Sequence, residues 1–183
     1  MEEFLDIVND EDEVIGRETR ALVHARGLQH RGAHVLLFTP NRDLIIQKRS
    51  ATRKAYASLW DCSVSEHVQA GEDYESAARR GLREELGLED VALRQVATFR
   101  MEYGPNDVEI STVFEGSADP AQVRFDAGEV GSVESVNVTV LMGRMASHPH
   151  EYCGWFIEIM NLYAGRPAHL RVVGKSAFSQ TAG

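Results

Sequence analysis

The chain has few cysteines, no long apolar run and no excess of positive charge. Its two cysteines, Cys62 and Cys153, do not make a disulfide framework, which favours a reducing compartment. No apolar run approaches the roughly 20 residues of a membrane-spanning helix. The start, Met-Glu-Glu-Phe-Leu-Asp, has no basic region followed by an apolar one, so no signal peptide is expected. These absences predict a cytoplasmic protein.

The net charge of −9 argues against a general surface for nucleic acid or for anionic membranes, although local basic groups remain available for a phosphate. With 183 residues, of which 43% are hydrophobic, the chain can bury roughly 70% of its unfolded surface. There is no repeat and no low-complexity linker. We therefore expect a single domain over residues 1–170 and a loose tail over 171–183, in a monomer or a homodimer.

Residues 73–87 have the pattern of a helix with a defined start and end. Asp73 is a suitable N-cap residue, and Gly87 is placed to end the helix. Ala78, Leu82 and Leu86 recur every four residues and form an apolar stripe. The helix is therefore predicted to pack on the core by this stripe.

Two adjacent carboxylates, Glu84 and Glu85, lie off the apolar stripe. A tight turn at residues 70–72 (Ala-Gly-Glu) leads into the helix. Carboxylate oxygens are the ligands that hard divalent cations such as Mg²⁺ prefer. The alternative is an ordinary solvated helix face, which does not account for the turn and the closing glycine.

The stretch from position 66 to position 88 resembles the Nudix box. That box is Gly, five residues, Glu, seven residues, Arg-Glu, an apolar residue, any residue, Glu-Glu, any residue, Gly and an apolar residue. Glu66 stands where its first Gly belongs, and Gly81 stands where the Glu of Arg-Glu belongs. The resemblance implies a metal-dependent hydrolase of diphosphate compounds. The matching residues are Glu72, Arg80, Leu82, Glu84, Glu85, Gly87 and Leu88.

The remaining pattern predicts strands on both sides of the box helix and two helices near the end. We expect a hairpin at 4–8 and 13–17, an irregular crossing at 24–30, strands at 33–39, 44–48, 59–64, 91–101, 108–114 and 134–138, and helices from about 140 and at about 152–163. This order predicts an α/β fold, an α/β/α sandwich with a mixed β-sheet. The Nudix resemblance implies the same fold.

Three further segments resemble the branch of Nudix proteins related to isopentenyl-diphosphate isomerase. They are residues 27–31 (Gly-Leu-Gln-His-Arg), 45–49 (Ile-Ile-Gln-Lys-Arg) and 59–61 (Leu-Trp-Asp). In the isomerase, a metal is held by histidines and by two acids spaced by one residue. The resemblance places His30, His67, Asp107 and Glu109 at such positions, and His24 falls one residue away from another. Alternation along a strand puts the two acids on the same side, whereas a lone histidine is more often an ordinary polar residue.

Residues 48–54 (Lys-Arg-Ser-Ala-Thr-Arg-Lys) form a basic loop in an acidic chain. The same resemblance implies that Arg49 and Arg53 bind the diphosphate of a substrate. It also implies that Trp155 covers the substrate. The alternatives are a solvated loop and a tryptophan that belongs to the core.

The residue at position 65 argues against an isomerase. Isomerisation needs a proton donor–acceptor pair, and the family has a cysteine where this chain has Ser65. A serine hydroxyl is a far weaker acid than a thiol, and Cys62 is too far along the chain to substitute simply. The isomerase also has a basic residue at position 81. We therefore expect hydrolysis, with a binding module of little turnover as a further hypothesis.

The hydrolase hypothesis assigns roles to the box residues. Glu84 and Glu85 are the expected ligands of Mg²⁺, or of Mn²⁺, which lowers the pKa of the attacking water. Arg80 orients the carboxylates, and Glu66 or Glu109 replaces the acid that is missing at position 81. The substrate is a small diphosphate compound whose second group the sequence does not name.

Gly81, which lies inside the box helix, also allows a prediction. Its side-chain position is predicted to face the metal or the substrate, on the same side as the acid pair. Either a carboxylate was lost there, or the space is used by the substrate or by another acid such as Glu66. Because glycine disfavours a helix, we expect Gly81→Ala to raise the melting temperature while lowering turnover.

Overall fold

A computed structural model describes residues 2–104, 106–174 and 176–178. Its strands are β1 (Phe4–Val8), β2 (Val14–Thr19), β3 (His30–Phe38), β4 (Leu44–Arg49), β5 (Trp60–Asp61), β6 (Val64–His67), β7 (Arg94–Gly104), β8 (Asp107–Ser117), β9 (Val130–Val136) and β10 (Arg171–Val172). Its helices are α1 (Arg20–Arg26), α2 (Tyr74–Leu86), α3 (Val138–Ser147) and α4 (Gly154–Tyr163). Across the described ranges, no helix has the length and apolar character needed to cross a membrane.

The main sheet is mixed, as predicted. Its strand order is β10-β7-β8-β3-β4-β5, with β6 also paired to β3 and β9 to β4. β3 and β8 run parallel, and their register sets His30 opposite Glu109. β6 runs antiparallel to β3 and sets His67 opposite Gly32. Two histidines and one acid therefore meet at the same end of three neighbouring strands.

Side chains of β3 alternate between two hydrophobic clusters, one on each face of the sheet. Val35 and Leu37 belong to the cluster that contains Leu82 of α2. Leu36 and Phe38 belong to the opposite cluster, which α3 and α4 complete. Helices thus cover both faces, and the predicted α/β/α sandwich is confirmed.

The box helix begins and ends where the sequence predicts. The Asp73 carboxylate accepts a hydrogen bond from the backbone N–H of Ser76 at 2.7 Å. Gly87 adopts a left-handed φ of 66°, which glycine tolerates and a side chain would strain. Ala78 and Leu86 are buried. The predicted stripe therefore anchors α2 and holds the opposite face of the helix toward a cleft.

The ribbon formed by β1 and β2 is separate from the main sheet and braces the turn before α2. The Asp6 carboxylate accepts a hydrogen bond from the Gly71 N–H at 2.7 Å. The Ala70 N–H donates to the Phe4 carbonyl at 2.8 Å. The ribbon therefore fixes the position from which the box helix starts.

Three segments differ from the predictions. The crossing expected at 24–30 begins inside a helix, because α1 extends to Arg26 before the chain turns at Gly27. Val23 is the single buried residue of α1, so there was no apolar stripe to detect. The strand expected at 59–64 is divided into β5 and β6. The tail expected to be loose from residue 171 instead pairs with β7 through β10 and buries Phe178. Residues 179–183 of that tail lie outside the described residues.

Candidate active site

Three carboxylates converge beside α2, and we call Glu66, Glu84 and Glu85 the acid cluster. Glu85 is buried, and its Oε2 accepts a hydrogen bond from Gln47 Nε2 at 2.5 Å. Glu84 is more exposed, and Glu66 comes from β6. All three acids line a cavity of about 710 Å³, together with Arg53. The structure therefore brings Glu84 and Glu85 of the box into one space with Glu66.

Arg80 connects the acid cluster to the preceding turn. Its Nη1 donates to Glu66 Oε2 at 2.9 Å and lies 3.6 Å from Glu84 Oε2. Its Nε donates to Glu72 Oε1 at 3.1 Å, and Glu72 Oε2 accepts from the Gln69 N–H at 3.0 Å. Arg80 thus contacts acids of β6, of α2 and of the preceding turn, and Glu72 connects that turn to the helix.

The acids of this cluster are difficult to ionise together. Burial raises the pKa of Glu85 well above its ordinary value, and the neighbouring Glu66 adds to the rise. Burial also raises the pKa of Glu66, although Arg80 opposes that shift. Crowded carboxylates withdrawn from water favour a proton or a cation between them. The oxygen donors therefore fit a hard divalent cation such as Mg²⁺.

Gly81 does not face the cavity, contrary to the prediction. A Cβ at this position would lie 2.3 Å from Val64 Cγ1 and 2.7 Å from Glu66 Cγ. Glycine is therefore required where α2 lies against β6. The stem of Glu66 occupies the adjacent space, and its carboxylate joins the acid cluster. The expected rise in melting temperature for Gly81→Ala is consequently reversed on steric grounds.

A second set of ligands lies at the end of β3, β6 and β8, and we call it the histidine cluster. His30 Nε2 and His67 Nε2 lie 3.3 Å and 3.6 Å from Glu109 Oε1. Ligand atoms of His30, Asp107 and Glu109 lie within 4.8 Å of one another, as do those of the three histidines. Its members are His24, His30, His67, Asp107 and Glu109.

His24 is the member that sequence reasoning left aside. Its Nδ1 lies 3.4 Å from Asp107 Oδ1, and its ring centroid lies 4.9 Å from that of His30. α1 produces this placement, because the helix turns His24 toward the strand ends. The one-residue offset in the sequence therefore does not keep His24 out of the cluster.

The donor atoms of the histidine cluster fit a borderline transition-metal ion. His30 Nδ1 lies 2.9 Å from the Leu28 carbonyl, a hydrogen bond that leaves Nε2 to face the cluster. Among the described residues, this Nε2 and Asp107 Oδ1 are buried without a hydrogen-bond partner.

Burial lowers the pKa of His67 well below its ordinary value and so keeps its imidazole neutral. Burial alone raises the pKa of Glu109, but His30, whose Nε2 lies 3.3 Å from Glu109 Oε1, holds it at about 2. Burial lowers the pKa of His30, but its contact with Glu109 raises it above the ordinary value. Imidazole and carboxylate ligands together suit borderline transition-metal ions.

A second cavity, of about 420 Å³, opens beside the histidine cluster. Arg49, Arg53 and Trp155 all line it. Arg53 also lines the cavity of the acid cluster, so the two spaces adjoin at this residue. Arg49 Nη1 lies 3.3 Å from Asp61 Oδ2, and Arg53 is paired with Glu129. Trp155 belongs to the core and also borders the second cavity, and its role over a substrate stays a prediction.

The hydroxyl at position 65 is held by hydrogen bonds inside the protein. Ser65 Oγ donates to Asp61 Oδ1 at 2.9 Å and lies 3.0 Å from His34 Nδ1. Cys62 is fully buried, and burial raises the pKa of its thiol well above the ordinary value. Neither group supplies a readily transferred proton. The argument against an isomerase stays a prediction from the sequence.

Two further residues of the site were not singled out from the sequence. Gln47 holds Glu85, and Asp61 holds Ser65. Both are polar residues at buried strand positions. A polar residue inside an otherwise apolar strand was the available signal, because a buried polar group requires a partner.

Known proteins similar to this chain agree with the fold and the box. The chain matches the model of the NUDIX domain over residues 28–155. It is 34% identical over 165 residues to isopentenyl-diphosphate Delta-isomerase 2 of Photorhabdus laumondii, covering 88% of this chain and 92% of that protein. It is 32% identical over 161 residues to an uncharacterized Nudix hydrolase of Pseudomonas aeruginosa, covering 88% of this chain and 93% of that protein.

The crystal structure of DR0079 from Deinococcus radiodurans is also similar, with a TM-score of 0.77 and 29% identity over 87% of this chain and 98% of that chain. The domain match spans most of the described fold, from the start of β3 to the start of α4. Both sequence relatives exceed 30% identity over nearly their whole length. This chain therefore belongs to the Nudix superfamily, in the branch that resembles isopentenyl-diphosphate isomerase.

Proposed function

We propose that this protein hydrolyses a diphosphate linkage in a small molecule, such as a nucleoside diphosphate joined to a second group, with Mg²⁺ or Mn²⁺ at the acid cluster. The observation that carries the proposal is the convergence of Glu66, Glu84 and Glu85 on a cavity that also contains arginines. Membership of the Nudix superfamily supports pyrophosphatase chemistry in general.

The metal would polarise the phosphoryl oxygens and lower the pKa of the attacking water. The chain's own groups hold the reactants in place. Gln47 fixes the carboxylate of Glu85 by a hydrogen bond, and Arg80 fixes that of Glu66. Arg53 lines both cavities and Arg49 lines the second, and the two would hold the diphosphate as negative charge moves onto its oxygens.

Glu66 takes the place of the carboxylate that the Nudix box has at position 81. Its carboxylate comes from β6 rather than from α2, and Gly81 leaves room for its stem. We infer that this exchange preserves the number of acids in the cluster. The departure from the box is then compatible with turnover.

The histidine cluster favours a second candidate, an isomerase-type proton transfer on a diphosphate. Its five potential metal ligands are brought together, and one relative carries an isomerase name. Ser65 argues against this candidate, because its hydroxyl is a weak acid already committed to Asp61. We propose that the histidine cluster instead holds a second metal ion beside the substrate. A Nudix-fold binding module with little turnover is the third candidate.

A panel of diphosphate compounds tests the three candidates. Phosphate release is measured with and without Mg²⁺ or Mn²⁺, and isopentenyl diphosphate is tested separately for dimethylallyl product. We expect metal-dependent release that Glu85→Gln abolishes. Glu115→Gln is the matched control, because Glu115 pairs with Arg94 at 2.7 Å and lines neither of the two cavities described.

Each candidate has its own result in this panel. Metal-dependent release supports the hydrolase. Binding without release in any compound supports the binding module and rejects the hydrolase. Dimethylallyl product from the purified protein supports the isomerase.

A further inference from the structure

Asp61 is a buried acid that contacts three groups of the second cavity without lining the cavity itself. It is fully buried at the end of β5. Its Oδ1 accepts hydrogen bonds from Trp155 Nε1 at 2.7 Å, from the Cys62 N–H at 2.7 Å and from Ser65 Oγ at 2.9 Å. Its Oδ2 lies 3.3 Å from Arg49 Nη1. Asp61 Oδ1 therefore accepts the uncharged donors, whereas Oδ2 faces the charged guanidinium of Arg49.

The three groups that Asp61 contacts all border the second cavity, namely Arg49, Ser65 and Trp155. They come from β4, β6 and α4, which the sequence separates widely. A carboxylate that receives donors from several elements fixes their relative positions, because a buried donor that loses a partner destabilises the fold.

The contacts of Arg49 leave part of its guanidinium available. One terminal nitrogen faces Asp61, and the other donates to the Ala55 carbonyl at 3.4 Å. The Nε atom is buried and has no partner among the described residues. Held in this way, the guanidinium can offer an N–H to an anion in the cavity without losing its support.

We propose that Asp61 is a positioning residue that sets Arg49 and Trp155 for binding of a diphosphate compound. The inference rests on the proposed function only in taking the second cavity as part of the substrate site. Asp61 acts on affinity through Arg49, by way of Oδ2. It sets the shape of the cavity through Trp155 and Ser65, by way of Oδ1.

Asp61→Asn separates these two tasks. Three donors converge on Oδ1, so the amide oxygen takes that position and keeps their hydrogen bonds. The amide NH₂ group then faces the guanidinium of Arg49, and donor meets donor. The fold and Trp155 should be retained while Arg49 loses its partner.

The binding test uses methylenediphosphonate with Mg²⁺, because its P–C–P bridge cannot be hydrolysed. Calorimetry should show roughly tenfold weaker binding for Asp61→Asn, the loss expected for one charged contact. In an Arg49→Ala background, Asp61→Asn should cause no further loss. Glu115→Gln is the control, because it removes an acid that Arg42 and Arg94 contact. This variant should bind methylenediphosphonate as tightly as the wild type does.

A fluorescence test addresses Trp155 separately. Trp60→Phe leaves Trp155 as the single tryptophan of the chain, since there are two in total. In this background Asp61→Ala should increase quenching of Trp155 by acrylamide, whereas Asp61→Asn should not. If Asp61→Ala fails to fold, the Asp61→Asn and Arg49→Ala cycle remains decisive.

Three results would overturn the inference: no binding of the analogue by the wild type, Asp61→Asn that binds like the wild type, or losses that add in the double variant. The assay needs no turnover. Coupled losses in a protein that hydrolyses no diphosphate would support the role of Asp61 and reject the hydrolase proposal, so the two failures are distinguishable.

Discussion

Gly81 and Glu66 act as a pair, since the missing side chain of one makes room for the stem of the other. A carboxylate belongs to position 81 in the Nudix box, whereas here the acid is supplied from the neighbouring strand. At position 81, the steric cost of a side chain against β6 therefore outweighs the gain in helix propensity. A methyl group on Gly81 would gain helix propensity and meet Val64 at a distance that no relaxed structure allows.

Gly81→Ala is expected to destabilise the protein by about 1–3 kcal/mol, the usual cost of overpacking. Thermal unfolding of the purified variant measures the effect. Gly143→Ala is the matched control, because Gly143 is within α3 and an added Cβ would meet nothing within 4 Å. The control should gain up to about 1 kcal/mol. A higher melting temperature for Gly81→Ala would contradict the steric argument.

The raised pKa of Glu85 predicts a pH dependence of stability in the absence of metal. The folded-state pKa lies above the ordinary 4.5, so the protonated form favours the fold at low pH. This contribution is lost as the pH rises through the folded-state pKa. In EDTA the melting temperature should therefore fall as the pH rises above 4.5, and Mg²⁺ should restore it.

Glu85→Gln removes the titrating group and should flatten this part of the pH profile. It should also abolish the restoration by Mg²⁺. The measurement is thermal unfolding across the pH range with EDTA or with Mg²⁺. Identical profiles for the wild type and Glu85→Gln would show that Glu85 is not the source of the effect.

At the scale of elements, the site depends on segments that have weak patterns of their own. α1 carries His24, and the ribbon of β1 and β2 holds the turn before α2. β10 adds an edge to the sheet beside β7. Each is stabilised by contacts with the domain rather than by its own periodicity.

Phe178 tests how firmly the C-terminal segment belongs to the domain. It is 5% exposed, and its ring centroid lies 5.4 Å from that of Tyr163. Phe178→Ala should cost about 3 kcal/mol through the cavity that it leaves. Phe125→Ala, at a position that is 42% exposed, should change stability by less than about 0.5 kcal/mol. Equal melting temperatures for the two variants would indicate that the C-terminal segment is a loose tail that does not stabilise the domain.

At the scale of the whole molecule, two chemically different ligand sets share one region. The acid cluster offers oxygens, while the histidine cluster offers nitrogens and oxygens. Arg20, Arg53 and Glu66 line both cavities, so a substrate held between the sets contacts both. We infer that the fold separates a site for a hard cation from a site for a borderline one.

The two sets should respond to different substitutions. Glu85→Gln should weaken Mg²⁺ binding at least tenfold and leave Zn²⁺ or Co²⁺ binding nearly unchanged. His67→Asn should have the opposite pattern, because imidazole is the preferred ligand of the borderline ions. Calorimetric titration of each variant with each ion measures this, and equal losses for both ions in both variants would indicate a single shared site.

Local chemistry determined much of this protein from its sequence. The cap at Asp73, the closing Gly87 and the apolar stripe define α2, since a helix needs only neighbours in the chain to set its limits. Alternation along β8 predicted that Asp107 and Glu109 share a side, and both lie in the histidine cluster. The order of strands and helices predicted the sandwich.

Tertiary structure alone decided the contacts between segments. It brought His24 into the histidine cluster through a helix with one buried residue, and it placed Asp61 among donors from three elements. It also made Gly81 a steric requirement by setting Val64 and Glu66 against α2. Such contacts depend on distances between residues far apart in the chain, and spacing along a sequence carries no measure of those distances.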